Sequence, residues 1–291
     1  MRKEMKELLF ASFRGIGQVM FQRNALSGVL MLVGLAIGSW RLALLAFSGS
    51  IVGTICAKLL RRPNSRISDG LYGYNSALSG LAVGVFFSPG LFALGLFFGV
   101  AILSAAIAMV AEKQQRLPVL TAPFVFATWL TLVIAKLWNP ETFLPTLSIC
   151  QQVDADWIGA FCLSIGQVMF EGVEKWTGIL FLLGIVVNSR ENAFYAVFGG
   201  MLSLAVGFLL ADFSGFNIGI FGYNAVLSAI ALGEKNWKSF VTAALAVVLS
   251  VGWQWLGMES GIVTLTAPFV VSVWFVVAME QFKQAVSWNK K

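Results

Sequence analysis

Apolar residues in this sequence do not alternate with polar ones; they run in long blocks separated by short polar stretches. The blocks fall near 5–21, 26–39, 42–60, 71–87, 91–111 and 118–138, then again near 157–170, 176–188, 193–211, 219–232, 239–256 and 262–282. Such runs predict bilayer-crossing helices, because lipid offers no partner for unpaired backbone groups. The fourth block of each set differs. It opens on glycines, DGLYGYN and SGFNIGIFGYN, and carries an asparagine and serines near its start. At roughly 15 residues it is short for a full span and predicts a re-entrant half-helix facing protein or a water-filled cavity.

The two sets of blocks share more than their rhythm. IGQVMF occurs at 16–21 and at 165–170, GYNSALSG at 73–80 answers GYNAVLSA at 222–229, and LTAPFV stands at both 120–125 and 265–270. Three motifs in one order at nearly constant spacing mark a tandem duplication. Residues 1–138 form the first transmembrane repeat and 157–291 the second. The linker 139–156, NPETFLPTLSICQQVDAD, holds two prolines and three acids. Five spans and one half-helix per repeat make an all-α polytopic membrane fold. The odd count turns the second repeat upside down, an inverted tandem repeat with a pseudo-two-fold axis in the membrane plane.

Composition agrees: 58% of the 291 residues are hydrophobic and 12% charged, and the mean hydropathy is +0.82. A water-soluble domain carries about a quarter charged residues. MRKEMKELLFASFR reads as the start of the first span rather than as a removable signal peptide. The net charge of +6 is scattered over short loops, which argues for membrane orientation and against nucleic acid. With the N-terminus inside, cytoplasmic stretches hold Arg2, Lys3, Lys6, Arg41, Lys113, Arg116, Lys175, Lys235, Lys238, Lys283, Lys290 and Lys291. Outer ones hold Arg23, Lys58, Arg61, Arg62, Arg66, Lys136 and Arg190, and the acidic linker lies outside. Both termini are then cytoplasmic, with KLLRRPNSR at 58–66 pulling against that assignment.

Histidine is absent, which removes the commonest metal ligand and proton shuttle. Cys56, Cys150 and Cys162 have no metal or redox spacing, so no cofactor is expected. No acid–base pair or activated nucleophile points to an enzyme. Glu171 and Asp212 stand at block ends and form no buried acidic chain.

Matched motifs of an inverted repeat meet near the midplane, where a solute is handled. Gln18 and Gln167 each bring an uncharged amide able to donate and accept; the plainer role is packing between helices. Tyr74 with Leu78, and Tyr223 with Leu227, share a helix face and can shape a narrow apolar slot or simply pack. Asn75 and Asn224 suit capping of backbone amides. Pro123 and Pro268, read as lying within spans, would free the carbonyls of Val119 and Thr264. The nearby hydroxyls of Thr121 and Thr266 would extend a column of acceptors, unless they bond back to their helices. This lining suits a small neutral solute rich in N–H groups and serves ions poorly.

These motifs together (the QVMF glutamine segments, GLYGYNSALSGL and the twin LTAPF) resemble the urea transporter family, in particular its bacterial members. The resemblance spans essentially the whole chain. It implies ten transmembrane helices with two re-entrant half-helices, and a homotrimer in the cell's inner membrane with one pore per subunit. It also implies passive, channel-like conduction of urea. It assigns Gln18, Val19, Phe21, Tyr74 and Leu78 to the slots of one half. Gln167, Val168, Phe170, Tyr223 and Leu227 are their counterparts, with Thr121 and Thr266 as central hydroxyls. Two departures from the family pattern bear on affinity and solute preference: some relatives carry glutamate at the place of Gln167, and many carry phenylalanine at Tyr74 and Tyr223. RNALSG (23–28) and GVEKWTG (172–178) also differ between the halves.

Rival readings do less well. Ammonium channels use paired pore histidines, and aquaporins two Asn-Pro-Ala turns, where this chain has a single Asn139-Pro140-Glu141 in its linker. An ion-coupled transporter is expected to bury a charge at midplane. A channel for other small neutral polar solutes, such as short amides, water or ammonia, is the alternative left standing.

Overall fold

The computed structural model describes residues 2–145, 154–210 and 213–288; Cys150, Asp212, Lys290 and Lys291 lie outside the described residues. The first half comprises α1 (Arg2–Gln18), α2 (Ala25–Leu59), α3 (Asn64–Ser68), α4 (Tyr74–Phe86), α5 (Leu91–Ala111) and α6 (Ala122–Trp138). The second comprises α7 (Trp157–Gly166), α8 (Lys175–Asn188), α9 (Arg190–Leu210), α10 (Phe213–Asn217), α11 (Gly222–Leu232), α12 (Trp237–Glu259) and α13 (Ala267–Trp288). Among the described residues four helices, α2, α5, α9 and α12, are by length and composition long and apolar enough to cross a bilayer. The chain is an all-α, multi-pass membrane protein.

The halves repeat each other in backbone detail. α2 breaks at Ser39 (φ −153°, ψ 104°), and the junction of α8 and α9 breaks at Ser189 (φ −151°, ψ 112°). Each serine hydroxyl accepts a backbone N–H three residues on, from Leu42 or Asn192, and so starts the next helix. Phe21 and Phe170 both adopt φ 63°, and Leu120 and Leu265 adopt 49° and 50°. Left-handed backbone is costly for such side chains, and it recurs at matched positions.

Contacts between the halves are reciprocal. The Trp129 indole donates to the Val263 carbonyl at 2.7 Å, and the Trp274 indole donates to the Pro118 carbonyl at 2.7 Å. Close approach of α2 and α8 relies on small residues: a Cβ on Gly34 would press on Phe181, and one on Gly184 would approach the Ser27 carbonyl.

The fourth block carries the chain from one end of the bundle to the other. Gly53 lies against Tyr72, Gly49 against Ser76, and Gly80 against Leu45, so α4 runs antiparallel to the second part of α2. Before α4, Arg62 and Arg66 pair with Glu112 at the end of α5; after it, the Phe87 carbonyl accepts from Arg41. α11 crosses in the same way against α9. The first block instead turns back. Asp156 caps α7 and pairs at 2.5 Å with Lys175, which opens α8. The Lys175 ammonium, then the Gly159 amide, hold the Asp156 carboxyl below the ordinary carboxylate range.

This corrects the loop assignment drawn from the sequence, which separated Arg62 and Arg66 from Lys113, Lys175 from the linker, and Arg190 from Lys235. The physical reason is that α7, about 15 Å long, penetrates only part-way, while the unwound stretch before each short helix completes a crossing. One end of the bundle gathers Arg23, Lys58, Arg61, Arg62, Arg66, Lys113, Arg116, Arg190, Lys235 and Lys238. Six of these are held by the Arg23–Asp69, Arg62–Glu112, Arg66–Glu112, Glu191–Lys235, Lys238–Glu280 and Gln281–Arg116 contacts. The opposite end holds Arg41, Lys136 and Lys175 beside Glu141, Asp154 and Asp156. KLLRRPNSR therefore stands with the majority of the basic residues.

Candidate functional site

Each IGQVMF string ends its helix in a tight turn. The Phe21 amide donates to the Gln18 carbonyl, and the Phe170 amide to the Gln167 carbonyl, both at 3.0 Å. The left-handed phenylalanine that follows turns its ring toward the other half. Phe21 meets Phe269 edge-to-face at 6.1 Å, and Phe170 meets Phe124 at 6.1 Å. Phe86, which sequence reasoning missed, adds a second edge-to-face contact to Phe170.

The glutamine amides are partly committed. Gln18 Nε2 donates to the Asp69 carbonyl at 2.9 Å, and Gln167 Nε2 to the Ile218 carbonyl at 3.2 Å. Their donors tie down the unwound stretch before each short helix, and Oε1 remains as acceptor. One N–H of each amide is thus committed to backbone, which leaves Oε1 and the second N–H to a solute.

The prolines are not within spans. Pro123 and Pro268 are the second residues of α6 and α13, where a missing N–H costs nothing. The Val119 and Thr264 carbonyls accept from Ala122 and Ala267, so they are not left free. Asn75 does cap an amide, but on another helix: its Oδ1 accepts from Phe124 N at 3.1 Å, and Asn224 accepts from Phe269 N at 3.1 Å. Thr121, at the N-cap position of α6, makes no cap of its own. Relieved of that task, its hydroxyl lies 2.6 Å from that of Thr266.

Two cavities flank this hydroxyl pair. At the basic end, about 100 Å³ is lined by Gln18, Val19, Phe21, Leu71, Tyr74, Leu120 and Thr121. At the other end, about 210 Å³ is lined by Gln167, Val168, Phe170, Ile220, Tyr223, Leu265 and Thr266, with Phe86, Gln254, Met258, Ile262, Val263 and Thr264. The first seven in each list are matched between halves. Tyr74 and Tyr223 spend their hydroxyls on the Leu120 and Leu265 carbonyls, at 2.7 Å each. Leu78 and Leu227 are fully buried in the common core and line neither cavity. Neither cavity has a charged side chain in its wall, and α6 and α13 both begin at the threonine contact. Two positive dipole ends therefore converge there, which disfavours a cation.

Gln254, buried on α12, is a further residue that the repeat comparison overlooked. A lone intramembrane amide in GWQWLG was signal enough to flag it. Among the described residues no group of Cys, Asp and Glu has metal-holding geometry.

The sequence pattern of the family described as Urea transporter matches residues 9–281. Similar proteins include Urea transporter 1 of Mus musculus, 32% identical over 251 residues, covering 79% of this chain and 65% of the mouse protein. Urea transporter 1 of Capra hircus is 30% identical over 286 residues, covering 89% of this chain and 73% of the goat protein. The chain thus spans slightly less than two thirds of the mouse relative's length. The family match runs from α1 into α13 and takes in both cavities and the hydroxyl contact between them: the chain belongs to the urea transporter family.

Proposed function

We propose that this chain conducts urea passively across the membrane through a neutral filter formed where its two halves meet. The observation that carries this reading is the pair of matched, uncharged cavities joined at the Thr121–Thr266 hydroxyls. A flat solute rich in N–H groups slides its faces past Phe21 and Phe170 and trades water for Gln18 Oε1, Gln167 Oε1 and the two hydroxyls. An ion would lose hydration with nothing charged to replace it. Channels for other small neutral polar solutes share this logic, and flux competition among them ranks the solutes.

The test is urea flux into proteoliposomes under imposed pH and sodium gradients. Urea equilibrates at a rate independent of both; concentrative uptake driven by either overturns the passive mechanism. Gln18→Leu and Gln167→Leu keep the bulk and remove the acceptor, so each slows urea flux about 2- to 12-fold, one hydrogen bond's worth. Wild-type flux in both folded variants returns the glutamines to a packing role.

The same reading places the halves, 1–138 and 157–291, in opposite membrane orientation about the linker 139–156, in a homotrimer with one path per subunit. The reciprocal indole bonds support the inversion, and the family likeness supports the trimer. The crowding of basic residues at one end supports a cytoplasmic position for that end and both termini, in the inner membrane. Single cysteines at Ser65 and Gln114 are then labelled by an impermeant reagent from one side, and a cysteine at Glu141 from the other. Labelling of all three from one side excludes the arrangement.

A further inference from the structure

We infer that Gln254 is a specificity-determining residue that donates a hydrogen bond to the solute's carbonyl oxygen in the cavity away from the basic end. The inference rests on the proposed conduction of a urea-like solute and adds a donor that has no counterpart in the other half.

The orientation of its amide follows from a chain of partners. Phe269 N is a backbone amide and can only donate, so the Asn224 atom 3.1 Å away is its oxygen. That turns Asn224 Nδ2 toward the Leu265 carbonyl at 3.3 Å and toward Gln254 at 3.0 Å. The Gln254 atom facing this donor is therefore Oε1. It also accepts from the Thr264 hydroxyl at 2.9 Å, with the Tyr223 hydroxyl 3.2 Å away. Reversing the amide would set its NH₂ against the NH₂ of Asn224, which can only donate. Every hydrogen bond of Gln254 among the described residues is thus made at Oε1, which leaves Nε2 for the cavity that Gln254 lines. The residue is only 1% exposed, so Nε2 has little open water to bond.

The first half builds nothing equivalent. Asn75 Nδ2 goes to the Leu120 carbonyl alone, and Val119 stands where the second half has Thr264. With one N–H of Gln18 and one of Gln167 donating to backbone, the two mouths present matched amides, and Gln254 adds an NH₂ at one mouth alone. The chemical class selected is a planar amide with a strong carbonyl acceptor on one edge and N–H donors on the other.

Urea and thiourea separate this role from packing, because they share N–H groups and differ in the acceptor, thiocarbonyl sulfur being the weaker. The test measures, in proteoliposomes, the urea concentration that half-saturates flux and the thiourea concentration that halves it. In Gln254→Met the first rises about 2- to 12-fold, while the second stays within about twofold of wild type. Gln254→Glu keeps an oxygen for Asn224 and Thr264 but lacks the N–H₂, and shifts the same ratio in the same direction. Equal rises for both solutes, or no change in either, assign Gln254 to packing and overturn the inference. So does failure of both variants to fold. If wild-type vesicles pass no urea, the proposed function itself is at fault; if they do and the ratio holds, only Gln254 is.

Discussion

In the Thr121→Val/Thr266→Val double variant, urea flux falls roughly 10- to 100-fold while the protein remains folded. The hydroxyls lie 2.6 Å apart between the two cavities, both nearly inaccessible. A solute passing between them exchanges that one bond for bonds to itself, so the barrier at the narrowest point stays low. Valine leaves two methyl faces, and a polar group crossing them without a partner costs about 1–3 kcal/mol. Single variants lose less, since the surviving hydroxyl can rotate toward the solute. Stopped-flow flux on the purified variants checks this; an unchanged rate in the double variant removes the hydroxyl pair from the conduction path.

Asn75→Leu lowers stability by about 2–4 kcal/mol, the sum of a lost helix cap and a buried amide left unpaired. Asn75 is 1% exposed, and its Oδ1 serves Phe124 N while its Nδ2 serves the Leu120 carbonyl. Leucine fills the space and serves neither. Tyr74→Phe is the contrasting change: it removes one donor to a carbonyl that Asn75 still reaches, so its cost stays near about 1 kcal/mol. Thermal unfolding in detergent, followed by size-exclusion fluorescence, reads both. Equal midpoints for Asn75→Leu and wild type contradict the cross-helix cap.

The helices and their duplication were legible because bilayer burial writes itself as long apolar runs, and IGQVMF, GYN and LTAPF pair by eye. The turn of the first block was not legible. A chain that dips in and returns has the same apolar composition as one that crosses, and it takes tertiary contacts such as the Lys175–Asp156 and Glu112–Arg66 pairs to reveal the difference. LTAPF looked like an interrupted span because the helix start beneath Leu120, with φ 49°, leaves no mark in hydropathy. Asn75 was read as a cap, but nothing local says whose; its target lies 49 residues away. Leu78 and Leu227 drew attention through helical spacing, which serves core packing equally well. Gln254 escaped because repeat comparison favours what both halves share, and this residue matters by being unmatched.

The reciprocal contacts have an evolutionary reading. Thr121 meets its own counterpart, and each half's indole reaches the other's matched carbonyl, which is the signature of an isologous interface. Two unlinked copies of one half could make these same contacts as a homodimer, but such a dimer is bound to identical mouths. Covalent fusion lifts that obligation: Thr264 and Gln254 can appear at one mouth while Val119 stays at the other. A single polypeptide can thereby line one mouth with polar side chains that the other lacks, an asymmetry closed to a symmetric dimer of one half.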